Sequence, residues 1–253
     1  MADGASRFKI LESSELGIRT SARKAKVHQD YTRIIIEGNM ELNIDKNVTR
    51  FFLIRHGQTE YNKQGILQGH LDIPLNEEGF SQVKKVSIYL APQLSLIDSI
   101  LSSDLIRCRQ TTQGILDQGY KGDLQYDSKF RERYMGEIQG KKIDEAIAYA
   151  ESQGKSHYKQ FGELPNEFNG RITELLEELK SIEDKNVILV THGGFIRSVL
   201  KNLGHEDANF IVYNTSITTI EFNHDSLKYA IKSIGENKHL GDGVFKVHDY
   251  RIR

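Results

Sequence analysis

Two histidines stand at the ends of apolar runs, and each is followed at once by glycine. His56 lies in Arg55-His56-Gly57, after Phe51-Phe52-Leu53-Ile54; His192 lies in Thr191-His192-Gly193-Gly194, after Val187-Ile188-Leu189-Val190. A neutral imidazole is a nucleophile near pH 7. Arg55 offers a planar fork of donors suited to a phosphoryl group, and Gly57 lets the backbone approach a ligand. Arg107 falls in the first turn of a helix expected after Ser102-Ser103-Asp104. A cation there opposes the helix dipole, so either an anion compensates it or it is exposed and paired with Asp104. Glu132 lies between Arg131 and Arg133, as a proton-transfer group or as part of a surface ion-pair cluster. Two histidines and a carboxylate could also form a facial metal triad. Two arginines in the same pocket would repel a cation, so no metal and no cofactor is expected.

Buried strands would position these groups. The runs 51–54 and 187–190 are continuously apolar, as in strands covered on both faces, and ligands bind where the strands of an open α/β sheet end. A second strand is expected across Leu96-Ile97 and Ile100-Leu101, with Ser102-Ser103-Asp104 capping a helix that carries Leu105, Ile115 and Leu116. Asn76 is a fitting N-cap, with Glu77 and Glu78 in the first turn and Phe80, Val83, Val86 and Leu90 as the core stripe. Residues 124–126 suit a short strand. The stretch 141–163 suits a helix and a loop whose Lys141, Lys142, Lys155, His157 and Lys159 form a solvated face or the rim of an anionic-substrate pocket. Pro165 opens a helix with Phe168, Ile172, Leu175, Leu176 and Leu179 on one face; Ile196, Val199, Leu200 and Leu203 mark the helix after His192, with Gly204 as its C′ residue. Segments 216–222 and 227–234 read as a hairpin. The alternation predicts an α/β fold of three layers, α/β/α, on a mostly parallel sheet, with both histidine-bearing strand exits on one edge.

The chain of 253 residues suits one large domain over 47–236. Residues 1–46 read as a tail, partly disordered, with a further strand at 31–36, and 237–253 as a C-terminal tail. Lys and Arg total 34 against 35 Asp and Glu, so no overall basic charge points to nucleic acid or a membrane surface. The single cysteine, Cys108, forms no intrachain disulfide and suits a reducing compartment, the cytoplasm. No apolar run nears the roughly 20 residues of a membrane span, and the N-terminus lacks a secretory core. The Asn-x-Ser/Thr triplets at Asn47 and Asn214 therefore read as accidental. Oligomeric state is not legible.

Four segments resemble the signature of the histidine phosphatase superfamily, which includes the cofactor-dependent phosphoglycerate mutases. They are Arg55-His56-Gly57, Ser103-Asp104-Leu105-Ile106-Arg107, Arg131-Glu132-Arg133 through Gly136, and Thr191-His192-Gly193-Gly194, in family order over residues 50–222. Within the superfamily the chain is most similar to the TIGAR-type fructose-2,6-bisphosphatases. The likeness lies in Leu67-Gln68-Gly69, Ser102-Ser103-Asp104-Leu105 with Arg107 and Gln110-Thr111, and Arg131-Glu132-Arg133 with Gly140-Lys141. Cys108 stands where many members carry alanine, and Leu164 where a hydroxyl residue is common. The connection from Gly140 to Pro165 lacks the basic pair with which the mutases hold a carboxylate.

The resemblance implies a phosphoglycerate mutase-like fold and a phosphatase of small phosphorylated metabolites. A sugar bisphosphate such as fructose 2,6-bisphosphate, or a bisphosphoglycerate, is the implied substrate. His56 would attack phosphorus through Nε2, with Nδ1–H on a backbone carbonyl. Arg55, Arg107 and a protonated His192 would surround the phosphoryl oxygens, with Asn62, Gln68, Gly69 and Gly193 completing the substrate site. Glu132 would protonate the leaving alkoxide and then serve as base for water. The alternatives are mutase-type transfer and a phosphate pocket kept for binding alone.

Overall fold

The computed structural model describes residues 42–43, 45–205 and 212–241. The strand expected at 31–36, most of the 1–46 tail and the end of the C-terminal tail lie outside the described residues. The strands are β1 (Val48–Arg55), β2 (Ser99–Ser103), β3 (Asp123–Asp127), β4 (Asn186–Thr191), β5 (Ile217–Asn223) and β6 (Lys228–Glu236). The helices are α1 (Glu60–Gln64), α2 (Glu77–Leu90), α3 (Ile106–Leu116), α4 (Ile143–Ser152), α5 (Pro165–Leu179) and α6 (Gly193–Asn202). One six-stranded sheet runs β3-β2-β4-β1-β5-β6. Its first four strands are parallel, and β5 and β6 add an antiparallel hairpin beside β1.

Strand periodicity divides the core into two layers. Phe51 and Leu53 of β1, with Val187 and Leu189 of β4, pack under α5 and α6. Phe52 and Ile54, with Ile188 and Val190, pack under α2 and α3 on the opposite face. This is the three-layer arrangement that continuous apolar runs require, since both faces of β1 and β4 are covered. A third cluster of Leu67, Met135, Ile138, Ala146, Ala150 and Phe161 supports the loops beside α4. No helix among the described residues is long and apolar enough to cross a membrane.

Several local expectations differ from the structure. Phe80 is half exposed, because Gly79 faces inward: a Cβ there would lie 2.0 Å from the Gln58 carbonyl oxygen. The next residue, turned about 100° round the helix, faces out. Ser102 and Ser103 end β2 and cap nothing; the N-cap position of α3 is Leu105, and Asp72 Oδ1 accepts from Ile106 N at 2.6 Å. Leu96 ends a 3₁₀ helix rather than opening β2. The short α1 was not expected; Thr59 caps it by accepting from Asn62 N. At the domain's start Leu42 is buried, and the Asn43 backbone exchanges two hydrogen bonds with the Asn186 side chain. Past β6, Lys238–Leu240 form a helical turn whose His239 lies against Tyr89 of α2.

Candidate active site

Because β1 and β4 are parallel neighbours with Arg55 opposite Thr191, both histidines leave the sheet side by side. His56 N donates to Thr191 O at 2.9 Å, and the two imidazole centroids are 5.2 Å apart, edge to face. His56 is almost fully buried, and its Nδ1 lies 2.7 Å from the Gly57 carbonyl oxygen. A carbonyl only accepts, so the proton sits on Nδ1 and Nε2 keeps its lone pair. Gly57 lets α2 pack close against this backbone: a Cβ would lie 2.8 Å from the Gly79 carbonyl oxygen.

Arg107 is buried, not exposed, and does not pair with Asp104. Its Nη1 donates to Leu71 O at 2.7 Å, its Nη2 to Gly69 O at 2.8 Å and its Nε to His192 Nδ1 at 3.3 Å. It thus ties the 69–71 loop to the second histidine. Asp104 instead takes Arg131 through two bonds of 2.6 Å. Gly69 has φ +51°, and a Cβ there would collide with Gln139, whose Oε1 accepts from His70 N at 2.7 Å. Neighbouring Gln68 is buried, and its Oε1 has no hydrogen-bond partner among the described residues. Buried amides in that condition are candidates for ligand contact.

His192 is fully buried between these groups. With Nδ1 accepting from Arg107, Nε2 carries the proton and donates to Ser103 Oγ at 2.9 Å. Burial, then the charge of Arg107, holds its pKa well below the ordinary imidazole value. These effects favour the neutral ring, whereas the protonated form that the resemblance implies is that of a ring facing phosphoryl oxygens. Cys108 lies beside it with Sγ 3.5 Å from Nε2; burial pushes this thiol up to about 12, so it is not a nucleophile at neutral pH.

Glu132 is held by two backbone donors: Arg133 N to Oε1 at 3.0 Å and Gly194 N to Oε2 at 2.8 Å. The second places the carboxylate on the first turn of α6, where amide hydrogens are unpaired. Its own carbonyl accepts from His70 Nε2 at 2.8 Å and from Arg171 Nη2 at 3.3 Å. Arg133 is not a surface ion pair; its guanidinium holds the carbonyls of Phe161 and Glu163 at 2.9 and 2.7 Å. Arg55 is buried, donates to Val212 O, and passes over Gly193, where a Cβ would come within 3.3 Å of its Nε. Asn62 Oδ1 accepts from Thr59 N at 3.2 Å and from Asn214 Nδ2 at 3.3 Å. Among the described residues no group of three or more His, Cys, Asp or Glu could hold a metal ion.

Direct contacts join His56, His192, Arg107 and Gly69 in one chain; Arg55 crosses Gly193, Glu132 bonds Gly194 in the same first turn of α6, and Asn62 is tied to the His56 carbonyl through Asn214. Sequence reading missed Ser103, Gly194 and Asn214 as site neighbours. Ser103 and Gly194 lie inside segments that resemble the family signature, whereas Asn214 carried no signal.

Residues 51–234 match the profile of the histidine phosphatase superfamily (branch 1). The chain is 42% identical over 220 residues to a broad-specificity phosphatase of Saccharomyces cerevisiae, covering 83% of this chain and 96% of that one. It is 40% identical over 114 residues to the fructose-2,6-bisphosphatase TIGAR of Bos taurus, covering 43% and 42% of the two chains. A crystal structure of a phosphoserine phosphatase mutant from Entamoeba histolytica, in complex with phosphoserine, superposes with a TM-score of 0.63 at 26% identity, covering 76% of this chain and 99% of that one. With the family profile spanning most of the domain, and with paired histidines, arginines and an acid gathered at one sheet edge, the chain belongs to the histidine phosphatase superfamily, branch 1.

Proposed function

We propose that this phosphoric monoester hydrolase works through a phosphohistidine on His56 and acts on a range of small phosphorylated metabolites, sugar bisphosphates among them. The observation that carries the reading is the Nδ1 contact to Gly57 O, which assigns the lone pair to Nε2 on a ring packed edge to face with His192. In the first step the Nε2–P bond forms and the P–O bond to the leaving group breaks. Glu132, protonated at that stage, gives its proton to the departing alkoxide. In the second step water attacks phosphorus, Glu132 takes its proton, and the Nε2–P bond breaks to release phosphate. Arg55, Arg107 and the Asn62 amide stabilise the phosphoryl oxygens. A phosphoryl dianion beside His192 favours its protonated form; taking that proton on Nδ1 requires Arg107 Nε to turn from the ring to a phosphoryl oxygen.

The breadth of substrates has physical support. Arg133 is occupied by backbone carbonyls, and two of the lysines expected at a pocket rim lie against aromatic rings. Lys141 Nζ is 4.9 Å from the Tyr149 centroid and Lys155 Nζ 5.0 Å from that of Phe161. Fewer cations are thus free to select a second anionic group. The broad-specificity relative matches over nearly its whole length, the TIGAR relative over less than half.

The test is phosphate release from a panel including fructose 2,6-bisphosphate, 2,3-bisphosphoglycerate, phosphoserine and 4-nitrophenyl phosphate, with EDTA present. Release should survive EDTA and vanish in His56→Ala, and acceptor hydroxyls should gain no phosphate. Discrimination across good substrates should stay within about 100-fold, short of the roughly 10⁴ that a site built for one hydrogen-bonding partner achieves. Glu132→Gln should impair alkyl phosphates far more than the aryl phosphate, whose leaving group needs no proton. Equal losses on both would remove the general-acid role.

A further inference from the structure

The triplet Asn214-Thr215-Ser216 takes no part in the chemistry above, and as a glycosylation signal it reads as accidental. Its backbone is unusual. Thr215 has φ +60°, a left-handed conformation that a β-branched residue adopts only when its surroundings impose it. Those surroundings are the end of β1 and the C-terminal turn. Thr215 N donates to Arg55 O at 2.8 Å, Arg55 N to Ser216 O at 3.2 Å, and Ser216 Oγ to Tyr213 O at 2.8 Å. Thr215 Oγ1 lies 3.1 Å from His239 Nε2. Strained backbone held this firmly is found where it aims a neighbouring group.

The group it aims is the Asn214 amide. Nδ2 donates to His56 O at 2.8 Å and to Asn62 Oδ1 at 3.3 Å. The His56 carbonyl belongs to the peptide joining His56 to Gly57, and the Gly57 carbonyl orients the imidazole. Rotation of that peptide would swing the ring. The Asn62 oxygen, accepting from both Thr59 N and Asn214 Nδ2, fixes which end of its amide is left to donate.

We propose that Asn214 is a positioning residue that locks the His56 peptide and sets the orientation of the Asn62 amide, holding the nucleophile and one phosphoryl donor in a single geometry. It touches neither substrate nor reacting atoms, and its role rests on the reading of His56 as nucleophile. In-line attack is sensitive to placement: about 1 Å of displacement costs on the order of 100-fold in rate.

The experiment measures kcat and KM for 4-nitrophenyl phosphate, and thermal melts, in Asn214→Ala, Asn214→Asp, Asn62→Ala and the Asn62→Ala/Asn214→Ala double variant. His56→Ala is the control. The expected result is a fall in kcat of about 10- to 100-fold in Asn214→Ala, with a melting temperature near that of the parent. The loss should shrink without vanishing in the Asn62→Ala background, because the Asn62 contact is shared by the pair while the bond to His56 O remains. Asn214→Asp, of equal size, sets an oxygen against two oxygens and should lose at least as much; it carries the test if the alanine variant does not fold. Unchanged kcat in a folded variant, or losses that simply add, would overturn the proposal. An inactive His56→Ala beside fully active Asn214 variants removes the positioning role alone. An active His56→Ala removes the nucleophile and this role with it.

Discussion

Glycine 194 separates stability from chemistry at a single residue. A Cβ there would lie 2.1 Å from Glu132 Oε1, the far end of a side chain that can swing away. Gly194→Ala should therefore fold with little change in melting temperature, yet lose the 2.8 Å bond that anchors the carboxylate. We expect kcat for alkyl phosphates to drop by about 100-fold, with aryl phosphate turnover much less affected. Gly193→Ala, whose Cβ meets Arg55 Nε at 3.3 Å, should be milder and show in KM, because it presses on a phosphoryl donor rather than on the acid. Equal effects of the two substitutions on both substrate classes would count against this division. Residue type and chain order singled out the histidines, Arg55, Arg107 and Glu132 as candidates. They could not reveal Asn214, 158 positions from the carbonyl it holds, nor that Arg133 turns to backbone while Arg131 pairs with Asp104. Such choices are set by tertiary contacts, which local spacing does not encode.

At the scale of elements, periodicity was a good guide where a whole face is buried and a poor one where a helix end meets a loop. The stripe of α5 and the runs of β1 and β4 are buried as their spacing requires. Asn76 caps α2 as expected, but Phe80 was misassigned to its core stripe because Gly79 packs on Gln58, and the cap of α3 was misread because its first amide answers to Asp72. Gly79 makes the point testable. By intrinsic propensity, Gly→Ala inside a helix gains up to about 1 kcal/mol. Here the added Cβ would meet Gln58 backbone at 2.0 Å, and backbone cannot swing aside as a side chain can. Overpacking of that kind costs about 1–3 kcal/mol, so packing wins and Gly79→Ala should lower stability in urea unfolding. Because the strain falls on the segment carrying Gly57, kcat should fall as well. Phe80→Ser, at a half-exposed site on the same turn, should leave kcat unchanged and cost no more than about 1 kcal/mol of stability. A stabilised Gly79→Ala would show that the loop yields more easily than this close packing implies.

Across the whole molecule, buried neutral histidines tie the fold to pH. His239 is lowered to about 4, first by burial against Tyr89 and Thr215 and then by the charge of Lys85. His192 is held well below its ordinary value by burial and Arg107, and His70 is lowered chiefly by burial. In the unfolded chain each returns to about 6.5. Between that value and the folded ones the unfolded state binds more protons, so stability rises with pH through this window. The contribution is complete above about 6.5 and is lost as pH falls below it, whereas a depressed carboxylate such as Asp104 adds its own loss only below 3.8. The melting temperature should therefore decline between about pH 7 and pH 5, before the carboxylates titrate. His239→Gln should flatten part of that decline while leaving the share owed to His192 and His70. The same substitution removes an imidazole that packs on α2 and meets the strained Thr215, so its effect also measures how firmly the 238–240 turn braces the end of β1. A melting temperature constant across this range would mean that these rings gain their protons without unfolding. The C-terminal turn would then be detaching locally, with Thr215 left to relax on its own.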